Sequence, residues 1–143
     1  MKFSGQGDTI MTDKLNNLVE EAYKITGRYQ PSNFCTSGVV GCALETKLGN
    51  VYTGINIDSN CGLGFCAEHA AIAEMLKHRE SEIIMLVAVN FNKEFVPPCG
   101  RCREFIYQVN PLNQDTKIII AMDNVVLLKD LLPYRWQETL GLQ

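Results

Sequence analysis

Regular patterning begins after Met11. Apolar residues at Leu15, Leu18, Val19, Ala22 and Ile25 recur at steps of three and four, which predicts a helix with one buried face. Thr12 or Asp13 is suited to cap it and Gly27 to stop it. Residues 29–38 read as a loop, because Pro31, Ser32 and Asn33 are turn formers. Two strand-like runs follow, residues 39–45 and 51–57, joined by Lys47, Gly49 and Asn50 as the turn of a hairpin. Residues 59–64 are irregular and contain two glycines.

Residues 66–77 are rich in Ala, Glu, Met and Leu, a strongly helical composition. Residues 83–89 form a continuous apolar run, as expected of a strand covered on both faces. A second helix is predicted from Pro98 or Cys99 toward Gln108, ending before Asn110-Pro111, since a residue preceding proline disfavours the helical conformation. Residues 117–122 read as a buried strand, 125–128 as a short one and 130–132 as a closing turn. Five strands interleaved with helices predict an α/β fold, a three-layer αβα sandwich around one mixed five-stranded sheet. No repeat or linker divides the chain, so residues 1–143 are expected to form a single domain, with 1–11 as a loose N-terminal extension.

Composition narrows the function. With 143 residues, 46% of them hydrophobic and 20% charged, the chain matches one soluble domain able to bury its own core. No apolar run reaches the roughly 20 residues of a membrane span, so no membrane partner is expected. Residues 1–10 lack the apolar core of a secretion signal, and a cytoplasmic location is the expectation. The net charge is -3 and the basic residues are scattered, which argues against nucleic acid and for a small-molecule substrate. Six cysteines without an export signal are not expected to pair as disulfides. Cys35, Cys42 and Cys61 stand singly and read as small packed residues, whereas Cys99 and Cys102 form a C-x-x-C after two prolines and point to a metal.

Three residues apart in a helix, Cys99 and Cys102 share a face and can hold one ion. Cys66 can join them. A helix of about twelve residues from Cys66 travels about 18 Å. The strand over 83–89 then returns about 23 Å, bringing the second helix beside the start of the first. Mid-helix, Glu68 would point about 200° away from Cys66, so the pair can serve one centre only at a helix N-terminus. Two such termini, each carrying about half a positive charge, would favour thiolate over thiol. Three protein ligands leave a fourth tetrahedral position for water, the arrangement of a catalytic zinc. Three thiolates also donate much charge, and Arg101 or Arg103 is placed to offset it.

Cys66-Ala67-Glu68 with Pro98-Cys99-Gly100-Arg101-Cys102 resembles the zinc-dependent nucleoside and base deaminases, over residues 39–136. Cysteine as first ligand resembles the cytidine deaminase branch. The Gly-Arg-Cys-Arg spacing and the closing Leu131-Leu132-Pro133-Tyr134-Arg135-Trp136 resemble blasticidin S deaminase. The resemblance implies one Zn2+ per chain on Cys66, Cys99 and Cys102, and hydrolysis of cytidine or deoxycytidine to the uracil nucleoside and ammonia in pyrimidine salvage. Zinc-activated water would attack C4 of the base, with Glu68 carrying protons. It further implies a homotetramer and a substrate site including Ala67, with Asn56 and Asp58 on the sugar and Phe34 stacked on the pyrimidine. Trp136 is a candidate for a substrate or interface contact. The family's glutamate is replaced by the shorter Asp58, and an arginine common after the glutamate is His69 here, read as a packed or interface histidine. Two alternatives stand beside this: deamination of a modified cytosine compound such as blasticidin S, and a catalytically silent zinc-stabilised oligomer.

Overall fold

The computed structural model describes residues 6–142. In chain order the elements are α1 (Gln6–Tyr23), β1 (Tyr29–Ser32), β2 (Cys35–Thr46), β3 (Val51–Ser59), α2 (Ala67–Lys77), β4 (Ile83–Asn90) and α3 (Gly100–Val109). A 3-10 turn (Pro111–Asp115) leads to β5 (Lys117–Ala121) and β6 (Asn124–Leu127), and two single-turn helices, α4 (Leu128–Leu131) and α5 (Trp136–Thr139), close the chain. β2 pairs antiparallel with β3 on one edge and with β4 on the other; β4 runs parallel to β5, and β6 returns antiparallel. The five expected strands thus form a mixed sheet in the order β3-β2-β4-β5-β6, and β1 adds a short sixth strand beside the start of β2.

The apolar run of β4 is covered on both faces. Met85, Val87 and Val89 pack with Leu15, Leu18, Val19 and Ala22 of α1. Leu86 and Ala88 point to the other side, among Ala71, Ile72 and Met75 of α2 and Ile106 of α3. Alternation of side chains along a strand serves both layers at once. A glycine brings α2 close to the sheet. A Cβ on Gly54 of β3 would lie 2.3 Å from the Ala71 amide nitrogen and 2.7 Å from the Ala67 carbonyl oxygen.

Three details depart from the sequence reading. α1 starts at Gln6, so residues 6–11 continue the helix instead of forming a loose extension; residues 1–5 lie outside the described part. Thr12 and Asp13 sit inside the helix rather than capping it, because extending an existing helix adds a hydrogen bond per residue without a new nucleus. The segment 29–38 is not a loop. Pro31 is accommodated because β1 is an exposed edge strand, paired with β2 only at Tyr29 and Ser32. The closing turn expected at 130–132 is largely taken up by the helical turn α4, which runs through Leu131.

The close approach at Gly54 sets where α2 begins, and with it the position of Cys66 and Glu68. Gly54→Ala is expected to cost about 2 kcal/mol, as overpacking of a tight contact does. A lowered urea midpoint at unchanged slope checks it; a variant as stable as the parent would show that α2 has room to retreat.

Candidate metal centre

Cys66 and Cys99 are the N-cap residues of α2 and α3, both in extended backbone conformation (ψ 158° and 167°). The two helices therefore start at the same place. The Sγ atoms of Cys66 and Cys99 are 3.6 Å apart, and those of Cys99 and Cys102 3.5 Å. Tetrahedral zinc with bonds of about 2.3 Å sets thiolate sulfurs about 3.8 Å apart, so the three thiols are spaced to hold one ion. Cys102 is buried, while Cys99 is exposed.

Two more side chains reach the cluster. Glu68, 4% exposed, places Oε2 3.5 Å from the Cys102 sulfur. His69 places Nδ1 3.5 Å from that same sulfur, and its ring stacks on Phe105 at 4.6 Å. The ligand atoms of Cys66, His69 and Cys102 all lie within 4.8 Å of one another, so a Cys-His-Cys set can also hold a metal. The sequence reading gave His69 a packing role, and the stacking fits that; its approach to Cys102 was not foreseen. The signal was available, since His69 lies three residues after Cys66 on the first turn of α2.

Charge is concentrated here. Burial pushes the Glu68 carboxyl above its usual range, partly offset by its own amide and by the Cys102 thiol. Burial and then the negative charge of Glu68 raise Cys102 strongly. At Cys66 burial and the neighbouring Cys99 thiol act upward, against a smaller opposing effect of Cys102. Cys99 departs in the other direction: burial acts upward there too, but hydrogen bonding with Cys102, Cys66 and the Arg101 amide outweighs it. Burial and the charge of Arg101 lower His69, which favours its neutral form. Thiols that resist ionisation beside a buried carboxylate are those a divalent cation would stabilise most.

Beside the cluster lies an open cavity of about 450 Å3, whose wall includes Cys66, Ala67, Glu68 and Cys99 together with Asn56 and Asp58 of β3. Asn56 is fixed at both ends of its amide: Oδ1 accepts from the Val40 amide at 2.8 Å, and Nδ2 donates to Asp58 at 3.1 Å. Val40, Val96 and Pro97 add apolar wall. The structure therefore gathers Cys66, Ala67, Glu68, Cys99, Asn56 and Asp58 around one space, with Cys102 directly behind the other thiols. It does not bring Phe34 or Trp136 there. Phe34 is 71% exposed in the β1–β2 turn, and Trp136 is 52% exposed, with its indole nitrogen bound to Glu104. Neither residue lies on the cavity wall of its own chain, because one sits on the edge hairpin and the other on the far part of α3. Of the two arginines, Arg101 reaches the wall, whereas Arg103 is engaged with backbone carbonyls.

Residues 12–121 match the family described as the cytidine and deoxycytidylate deaminase zinc-binding region. The chain belongs to this family. A cytidine deaminase of Halalkalibacterium halodurans is 35% identical over 107 residues, covering 73% of this chain and 76% of that protein. The blasticidin-S deaminase of Bacillus cereus is 30% identical over 132 residues, covering 83% of this chain and 89% of its own length. The crystal structure of cytidine deaminase from Mycobacterium tuberculosis superposes with a TM-score of 0.71 at 29% identity, over 85% of this chain and 96% of that one. The protein is thus a zinc-binding hydrolase of the cytidine deaminase type, with helices on both sides of a mixed sheet. No described helix is long and apolar enough to cross a membrane.

The raised Glu68 carboxyl has a consequence for metal-free protein. A folded-state pKa above the unfolded one means that ionised Glu68 opposes folding, so the stability it contributes when protonated is lost as pH rises through the folded value. After zinc is stripped with a chelator, Glu68→Gln is expected to show a higher urea midpoint than the parent at pH 7–8. That advantage should vanish below the ordinary glutamate pKa of about 4.3, where both states are protonated. An advantage constant across this range would assign it to something other than the buried charge.

Proposed function

We propose that the protein hydrolyses the 4-amino group of free cytidine or deoxycytidine, using one Zn2+ on Cys66, Cys99 and Cys102 and Glu68 as the proton carrier. The observation that carries this is the buried Glu68 carboxylate beside three thiols spaced for one zinc, on the wall of a cavity of nucleoside size. Bound zinc supplies the Lewis acidity that makes water nucleophilic near neutral pH. Glu68 is placed to take the proton from that water, to pass it to N3 of the base and to carry a second to the departing ammonia. Its raised pKa suits this, since a proton carrier works best when its pKa approaches the working pH. His69 is assigned to support rather than ligation, because three thiolates leave the fourth position that catalysis needs.

The polar pair Asn56 and Asp58 on the cavity wall favours a sugar. The bond from Asn56 leaves one amide hydrogen as a donor and leaves the Asp58 carboxylate as an acceptor, and a hydroxyl needs both. A 5′-phosphate is disfavoured: among the described residues of the wall, Arg101 is the one cation, opposed by Asp58 and Glu68. A second reading, deamination of a modified cytosine compound such as blasticidin S, is favoured by the similarity to the blasticidin-S deaminase, which extends over more of the chain than that to the Halalkalibacterium protein. The proposed assembly is a cytoplasmic homotetramer in which exposed aromatic residues such as Phe34 and Trp136 meet neighbouring copies.

An ammonia-release screen over cytidine, deoxycytidine, deoxycytidylate and blasticidin S tests these readings. Cytidine or deoxycytidine is expected to react and deoxycytidylate to be poor; turnover of blasticidin S alone would select the second reading. Glu68→Gln should retain zinc while kcat falls by at least about a thousandfold, within the span attributed to acid-base catalysis. Zinc-loaded protein inert on every substrate would leave the silent oligomer. Light scattering should return about four times the 16.0 kDa chain mass, and a stable active monomer would remove the assembly.

A further inference from the structure

Arg103 and Glu104, the two residues after Cys102, take no part in the proposed chemistry, yet both bind the C-terminal segment. Arg103 donates from Nε to the Pro98 carbonyl at 2.8 Å and from Nη1 to the Leu131 carbonyl at 3.2 Å. Its own amide donates to the Cys99 carbonyl at 3.0 Å. Glu104 accepts from Trp136 Nε1 at 2.6 Å and from Gln137 Nε2 at 2.5 Å, and the Arg135 guanidinium lies 4.2 Å over the Tyr107 ring. The C-terminal segment is therefore strapped along the helix whose first turn carries two of the thiols.

The loop leading into that turn packs through Phe95, Val96 and the buried Pro98, but its backbone is sparsely hydrogen-bonded just before Cys99. The Val96 amide is bound to the Ala88 carbonyl of β4 at 2.9 Å. Pro97 and Pro98 follow, and neither has an N–H to donate. Cys99 is exposed, and its sulfur meets the neighbouring thiols of Cys66 and Cys102 rather than an apolar core. The carbonyl of Pro98, one peptide bond before Cys99, is anchored by Arg103 alone among the described side chains. A planar guanidinium can span two carbonyls in a fixed geometry, and charge-assisted bonds of this kind are about twice as strong as neutral ones. Leu131 is in turn secured, since it and Leu132 pack against the buried cluster containing Ile106 and Leu128.

We propose that Arg103 is a positioning residue of the metal centre, holding the Cys99 thiol in place for zinc by tying the Pro98 carbonyl to the C-terminal segment at Leu131. This rests on the reading of Cys99 and Cys102 as ligands. Zinc affinity of the folded chain, measured by competition with a chromophoric chelator, separates positioning from mere support of the fold. Arg103→Gln is expected to weaken zinc binding by about 10-fold or more, the effect usual for an outer-shell partner. Arg103→Lys, able to reach one carbonyl but not both, should fall between it and the parent. A variant with lowered thermal stability that still binds zinc within about twofold of the parent overturns the proposal; should Arg103→Gln not fold, Arg103→Lys is judged by the same two outcomes. Cys99→Ala is measured in parallel. If it binds zinc as tightly as the parent, the ligand reading fails and takes the proposal with it. If it loses zinc while Arg103→Gln is unaffected, the proposal alone fails.

Discussion

Two helices that begin at one point are the constraint on which the site depends. The first free amides of α2 and α3 face a common space, and the residues that cap them are cysteines. Cys66 makes no side-chain capping hydrogen bond, and at Cys99 a thiol stands where a serine or aspartate would supply an oxygen cap. Stabilising a thiolate there is the substitute, and a cation drawn into the cluster completes it. The rest of the architecture delivers that meeting. Gly54 sets the distance of α2 from the sheet, the parallel pairing of β4 and β5 places α3 on the same face as α2, and the last residues of β4 aim the two prolines at the cluster.

Burial and charge oppose each other within this small volume. A carboxylate and three ionisable thiols in a half-closed space repel one another, and burial resists ionisation of each. Only Cys99, nearest to solvent and to the amides of α3, is held low. Positive charge from the chain itself is sparse: Arg101 stands on the wall, while the charge of Arg103 is committed to two carbonyls. A divalent ion would therefore relieve most of the repulsion among the thiolates, while burial continues to act upward on Glu68. The same imbalance that makes the metal-free site unfavourable makes the carboxylate a usable acid and base.

The sequence was most informative where chemistry and period coincided. Cys66 and Glu68 two apart make sense only at a helix start, and that start is where the structure puts them. The run over 83–89 could be assigned to a two-faced strand because it lacks any polar break, and from Met85 to Val89 its residues alternate between the two cores as that requires. Local signals failed where cooperative structure overrode them. Thr12 and Asp13 are good caps, yet the helix runs through them; Pro31 is a turn former, yet an edge strand tolerates it. For His69 the spacing of three from Cys66 was legible, but its contact with Cys102 was not, because that contact spans two helices that only the folded chain brings together.

The aromatic residues show why a substrate site is harder to read than a metal site. Thiols three apart or at a helix cap are constrained by the ion to within a few tenths of an ångström, so spacing alone is strong evidence. A stacking partner needs only a flat face somewhere along the wall, and position in the chain says little about which wall. Trp136 illustrates this: its indole is turned to Glu104, binding α3 to the segment that also supplies Leu131. A residue identified by analogy as a contact for the substrate thus has a definite task within its own chain, in the strap behind the metal helix. Its remaining exposed face is free for a neighbouring copy, so the two roles can coexist.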